Sequence, residues 1–202
     1  MKLKKTVDGV YYFQDYIPVR LRSVSAKDRE ESIKLLKFKD SISKEIDNYS
    51  LKLIEAIVKI TKDINTKKIA LVAVPSSKVN KKSSLCECIK IISALSKRGV
   101  IQDICTGYNK QILDYSDLLL RKYDMQAAHE SKKRPTYEQQ FDSIRCTKDK
   151  LSKEWATFVI LDDVTTTGTI MKVCEDKLIK NGALKKYIRK LAIARTVGYD
   201  LF

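Results

Sequence analysis

Apolar residues fall at two spacings along this chain, and the two kinds of stretch alternate. Ile42, Ile46, Tyr49, Leu53, Ile57 and Ile60 recur at intervals of three and four, which predicts a helix over Ser41 to Lys62. Short unbroken apolar runs stand between such stretches. Ile69 to Val74 predicts a buried strand over Lys68 to Pro75, and Phe158 to Leu161 predicts another. Val10 to Val19 is β-prone, with Pro18 marking a strand end or edge. Asp28 to Phe38 has helical character, and Ser84 to Arg98 reads as a helix stopped at Gly99. Val100 to Cys105 is then expected as a strand and Leu113 to Met125 as a helix. Ala127 to Gln140 is polar and basic without an apolar period, the pattern of a long mobile loop. Met171, Cys174 and Leu178 share one face of a helix over Thr169 to Asn181, with Asn181-Gly182 as its stop. A last strand covers Tyr187 to Thr196. Strands alternating with helices imply an α/β fold: a mostly parallel central sheet flanked by helices, with right-handed crossovers.

Composition narrows the class. A chain of 202 residues, 44% hydrophobic, can bury a full core, and one domain over residues 1–202 is expected. Within it, residues 1–27 read as an edge or hood segment and 127–140 as the flexible loop. No stretch reaches the length of a membrane span, and no apolar signal region follows Met1-Lys-Leu-Lys-Lys5. The five cysteines are odd in number and form no C-x-x-C pair. With His129 the single histidine, they argue against a zinc site and for reduced thiols of a cytoplasmic protein. The net charge of +15 has two explanations. It can serve a nucleic-acid or acidic protein partner, or it can be a solvated lysine-rich surface; its even spread and the lack of a nucleic-acid motif favour the second. A homodimer is compatible with this composition.

The densest chemistry lies in Val159-Ile-Leu-Asp-Asp-Val-Thr-Thr-Thr-Gly-Thr169. Asp162 and Asp163 stand at the carboxyl end of the expected strand, where ligands of parallel sheets collect. Two neighbouring carboxylates can accept hydrogen bonds from the two hydroxyls of a ribose, directly or through Mg²⁺-bound water. Carboxylates repel phosphate, so the anion needs another holder. Thr165, Thr166, Thr167, Gly168 and Thr169 supply backbone N–H groups and hydroxyls, with the positive end of the next helix aimed at the same point. The turn Val74-Pro-Ser-Ser-Lys78 ends the earlier strand; Ser76, Ser77 and Lys78 form a second anion cradle there. Lys132, Lys133 and Arg134, on the basic loop, suit a lid that closes over a polyanion. His129 receives no role.

The Asp-Asp motif resembles the signature of the type I phosphoribosyltransferases, which bind 5-phosphoribosyl-1-pyrophosphate (PRPP). One position departs from the commonest form: Ile170 stands where a hydroxyl residue is frequent, and Thr169 offers the hydroxyl one position earlier. Arg134, Thr136, Gln139 and Arg145 are similar to the Arg-x-Thr-x-x-Gln…Arg segment of the competence-protein (ComF) branch. Glu31-Ser-Ile-Lys-Leu-Leu-Lys-Phe38 resembles the Ile-x-x-Leu-Lys-Phe segment of that branch. The zinc ribbon of the branch is absent, and its Arg-Gly-Phe-Asn run is replaced by Val79-Asn-Lys-Lys-Ser-Ser84. The resemblance implies a Mg²⁺-dependent transfer of ribose 5-phosphate from PRPP to a nitrogen acceptor, commonly a nucleobase, with release of pyrophosphate. Asp162 and Asp163 would then be the catalytic pair, holding the ribose and, indirectly, the metal. Thr165 to Thr169 would take the 5′-phosphate, Ser76 to Lys78 the pyrophosphate. The acceptor is not readable; Tyr199 and Phe202 suit either stacking on a base or packing. Two other functions stay open: a PRPP- or nucleotide-binding regulatory or defence protein acting through a partner on its basic surface, and hydrolysis with water as acceptor.

Overall fold

The computed structural model describes residues 1–18, 25–79, 81–125, 135–151 and 155–197. The expected lid residues Lys132, Lys133 and Arg134 lie outside the described residues, as do His129, Tyr199 and Phe202. In chain order the elements are β1 (Lys4–Lys5), β2 (Val10–Tyr16), α1 (Ala26–Lys39), α2 (Ser43–Thr61), β3 (Lys68–Ala73) and α3 (Ser84–Lys97). There follow α4 (Val100–Ile104), β4 (Gln111–Asp114), β5 (Leu119–Arg121), α5 (Tyr137–Ser143) and β6 (Ile144–Cys146). β7 (Ala156–Thr165), α6 (Thr169–Lys180), a 3₁₀ turn over Lys185–Tyr187 and β8 (Ile188–Thr196) complete the described chain.

Six strands form one sheet in the order β1-β2-β8-β7-β3-β4, parallel throughout except for the antiparallel edge strand β1. The fold is therefore α/β with a mostly parallel sheet. Side chains alternate across a strand, and this separates two cores. Ile69, Leu71, Val159 and Leu161 pack with α1, α2 and α3 on one face. Ala70, Val72, Phe158 and Ile160 pack with α6, Leu119 and Ile144 on the other. Those last two residues belong to the antiparallel ribbon β5-β6.

The winding reverses at the middle of the sheet. From β3 the chain passes through α3 to β4 on one side; from its neighbour β7 it passes through α6 to β8 on the other. Right-handed crossovers running in opposite directions must place their helices on opposite faces, and α3 and α6 do lie on opposite faces. The carboxyl ends of β3 and β7 thus flank the crevice where open α/β sheets bind ligands.

Four expectations need correction. Val100 to Cys105 is not a strand: α4 covers Val100–Ile104, after Gly99 leaves α3 at φ 79°. A short apolar run fits a helical turn as well as a strand. Leu113 to Met125 is not helical: it carries the end of β4 and all of β5, whose partner β6 is distant in sequence. The expected loop up to Gln140 ends earlier, because α5 begins at Tyr137. There Thr136 accepts the Gln139 N–H (3.3 Å) and Gln139 accepts the Thr136 N–H (2.9 Å), a capping box. Finally, the motif strand does not stop at Leu161 but runs through Thr165. All five cysteines are free, and among the described residues no helix is long and apolar enough to cross a membrane.

Candidate functional site

β7 outruns one of its neighbours. Its pairing with β3 ends at Ala73 opposite Leu161, with Val74 N–H still reaching Leu161 O (2.9 Å), whereas its pairing with β8 continues to Thr165. Asp162 and Asp163 therefore stand inside β7 but past the end of β3, on an edge that β3 has left. Each folds back on the chain. Asp163 N–H donates to Asp162 Oδ1 (2.9 Å) and Val164 N–H donates to Asp163 Oδ1 (2.6 Å).

The two carboxylates have different surroundings. Asp163 pairs with Lys39 at the end of α1 (Oδ2 to Nζ 3.1 Å). Asp162 lies toward α6, close enough for its charge to help push the buried Cys174 thiol above its ordinary range, after burial itself. Burial raises the Asp162 carboxyl well above the ordinary 3.8, the Asp163 charge raises it further, and Lys39 opposes both. The unfolded chain then ionises Asp162 before the folded chain does. Stability from this group is full below about pH 3.8 and is lost as pH rises toward and through the folded value. Asp162→Asn should accordingly melt higher relative to wild type at pH 8 than at pH 4. A gap that is constant across that range in thermal melts would contradict the assignment.

After β7 the chain turns through Thr166 and Thr167 into Gly168, which caps α6 at φ 73°. That left-handed conformation favours glycine. Thr167 and Thr169 hydroxyls meet at 2.9 Å, and Lys172 N–H reaches back to Gly168 O (2.9 Å). The free N–H groups of the first turn point out of the helix end.

The turn after β3 is stapled from a distance. Arg121 Nε–H donates to Ser76 O (3.0 Å), Met125 N–H to Ser77 O (2.7 Å), and Val79 N–H to Asp124 Oδ1 (2.7 Å). Lys78 Nζ lies 3.7 Å from Asp124 Oδ2. Arg121 is 8% exposed and also donates to Ser143 Oγ. Burial lowers its pKa from the ordinary value, and among the described residues no carboxylate pairs with it. A buried guanidinium without a counter-charge suits a site that receives an anion.

One cavity adjoins each turn, and the second runs along α6 to the starts of β2 and β8. One of about 680 Å³ is lined by Ser76, Lys78, Lys82, Arg121, Lys122 and Arg145, with Asp117 among the walls. The other, about 840 Å³, is lined by Thr167, Gly168, Thr169, Lys172, Arg189 and Lys190, with Asp8 and Glu175. Ser77 lies on neither wall, and neither do Asp162, Asp163, Thr165 and Thr166. The anion turns expected from the sequence thus sit on separate cavities, with the carboxylates on the edge of β7. Four residues were not foreseen as parts of this region: Arg121, Lys39, Asp8 and Arg195, the last on β8 in register with Thr165.

No protein-family model matches this chain, and no curated protein does. The site's own geometry and chemistry therefore carry the functional reading.

The donor set fits Mg²⁺. Among the described residues no cluster of three His, Cys, Asp or Glu side chains is present. Mg²⁺ in phosphate sites is held by one or two carboxylates together with ligand phosphates and water. Asp162 and Asp163 provide that number.

Proposed function

We propose that this chain is a type I phosphoribosyltransferase-like enzyme that moves ribose 5-phosphate from PRPP to a nitrogen acceptor, a nucleobase, and releases pyrophosphate. The observation that carries the reading is the reversal of winding between β3 and β7. It leaves the Ser76–Lys78 turn and the Asp162–Thr169 segment following adjacent strands, each anion turn with its own cavity and the two carboxylates on the β7 edge. PRPP has the matching layout: a phosphate, a diol and a pyrophosphate along one sugar.

In this mechanism Asp162 and Asp163 accept hydrogen bonds from the ribose hydroxyls and place negative charge near the anomeric carbon. That carbon becomes oxocarbenium-like as the bond to pyrophosphate lengthens. Thr165 to Thr169 hold the 5′-phosphate, and this remote binding orients the sugar for attack. Ser76 and Lys78 receive the pyrophosphate, with Arg121 fixing the Ser76 carbonyl and adding positive charge to the wall. Mg²⁺, held through Asp162 and Asp163 and the ligand's phosphates, would supply further charge neutralisation. Lys132, Lys133 and Arg134 serve as the lid; the ribbon β5-β6, whose connecting segment contains them, lines the pyrophosphate cavity through Arg121 and Arg145.

A second reading is a PRPP-binding effector without turnover. The Lys39–Asp163 ion pair favours it, since it occupies one ribose-binding carboxylate in the free protein. Pyrophosphate release from PRPP and Mg²⁺ across a panel of nucleobases separates the two. Base-dependent release supports the transferase, release without base indicates hydrolysis, and binding without release supports the effector.

A further inference from the structure

Two buried polar atoms at the carboxyl end of the sheet have no hydrogen-bond partner among the described residues: Thr165 Oγ1 and Arg195 Nε. Their residues are paired in register across β7 and β8, neighbours at about 5 Å between strands. Thr165 is only 2% exposed. Its hydroxyl lies 3.9 Å from the point where a side chain on Gly168 would begin, so it is aimed at the N-cap of α6. Native proteins rarely leave such groups unmet, and a charged N–H is the costliest to leave.

The nearby carboxylates are engaged elsewhere. Asp15, in register with Arg195 on β2, pairs with Lys4, and Asp163 pairs with Lys39. Segment 165–169 itself contains threonines and one glycine but no cation. Asp8 adds a further negative charge, its Oδ2 lying 4.0 Å from the same point on Gly168. Lys172 and Lys190, on the cavity wall beside Thr167 to Thr169, are paired with Asp176 (2.6 Å) and Glu175 (3.1 Å). Arg195, in register with Thr165, has no carboxylate partner among the described residues.

We propose that Arg195 and Thr165 form the floor of an oxyanion subsite beneath the N-terminus of α6, taking the phosphate of a sugar phosphate. The proposal rests on the phosphoribosyl reading above and adds a cation from β8 to the phosphate loop. The guanidinium Nε–H and the Thr165 hydroxyl both donate to phosphate oxygens, so one ligand satisfies both orphaned atoms. Arg195 is here a positioning residue: it holds the phosphate and takes no part at the anomeric carbon.

The test is calorimetric titration of inorganic phosphate, ribose 5-phosphate and ribose into wild type, Arg195→Gln, Thr165→Val and the Asp162→Asn/Asp163→Asn double variant. Wild type should bind ribose 5-phosphate, and Arg195→Gln should bind it about 10- to 100-fold more weakly, the size of a lost charge-assisted bond. Thr165→Val should melt at or above wild type without ligand, because it removes an unmet hydroxyl, yet bind phosphate more weakly. A merely structural role would not separate those two readouts. Wild-type affinity in both single variants overturns the subsite while leaving the phosphoribosyl reading in place. Wild-type ribose 5-phosphate affinity in the double variant overturns that reading and leaves the subsite standing. A wild type that binds neither phosphate nor ribose 5-phosphate overturns both. Should Arg195→Gln fail to fold, Arg195→Lys, which keeps the charge but lacks the Nε–H, takes its place, and wild-type affinity in it overturns the subsite.

Discussion

Replacing Asp162 and Asp163 together with asparagine is expected to lower pyrophosphate release from PRPP by roughly 10²- to 10³-fold, the usual consequence of removing preorganised charge from a reacting centre. The two substitutions should act differently alone. Asp163→Asn dissolves the ion pair with Lys39 (3.1 Å), whose partners are 38% and 29% exposed. Such pairs contribute about 0–1 kcal/mol, so folding stability should barely move while turnover falls. Asp162→Asn removes a carboxyl that burial and Asp163 hold toward its neutral form. Its loss should relieve that strain at neutral pH and still cost activity. A variant that is more stable and less active is the mark of a residue kept for chemistry. If the double variant releases pyrophosphate at the wild-type rate, the carboxylates are not the ribose anchors. Steady-state release assays paired with thermal melts give both quantities.

Arg121→Met is expected to be the next most damaging change, with about a 10- to 100-fold loss in kcat/KM for PRPP, corresponding to one charge-assisted hydrogen bond. Arg121 joins the turn after β3 to the ribbon β5-β6: Nε–H holds Ser76 O at 3.0 Å, and the other arm of the fork reaches Ser143 Oγ. Methionine keeps much of the volume but neither bond. The effect on stability should be small, because removing a buried charge that lacks a carboxylate partner offsets the loss of its bonds. The turn itself should become looser. Hydrogen exchange at the Met125 and Val79 N–H groups, which bond Ser77 O and Asp124 Oδ1, should accelerate in the variant. Unchanged exchange together with unchanged kcat/KM would show that Arg121 does not position the turn.

Most of the central sheet was legible because its strands are buried on both faces. Ile69 to Ala73 and Phe158 to Leu161 are unbroken apolar runs, and nothing but a core strand or a buried helix hides them so fully. The long period of α2 was equally plain. What failed was short and depended on distant partners. β5 is three residues long and exists by pairing with β6, some twenty residues further on, so no local pattern announces it. Val100 to Ile104 carries β-branched residues, yet Gly99 at φ 79° caps a helical turn with Ile101 buried beneath it. α5 was missed although Thr136 and Gln139 stand three apart, the spacing of a capping box. That signal is local and lies wholly within the sequence.

The candidate site divides in the same way. Asp162, Asp163 and the threonine turn are contiguous, so their chemistry could be read in order. Lys39, Arg121 and Arg195 come to the site from other elements, and only the fold brings them there. Arg195 had a faint signal: a cation ending the apolar run Leu191 to Ala194, where a buried strand meets the ligand end of a sheet.

The most direct test of the central claim is calorimetric titration of PRPP with Mg²⁺ into the wild-type protein and into the Asp162→Asn/Asp163→Asn double variant. Saturable one-site binding in the range of roughly 1 µM to 1 mM, typical of enzyme substrates, is expected for wild type, with a large loss in the double variant. An absence of binding by wild type at millimolar PRPP, or equal binding by both proteins, would contradict the account.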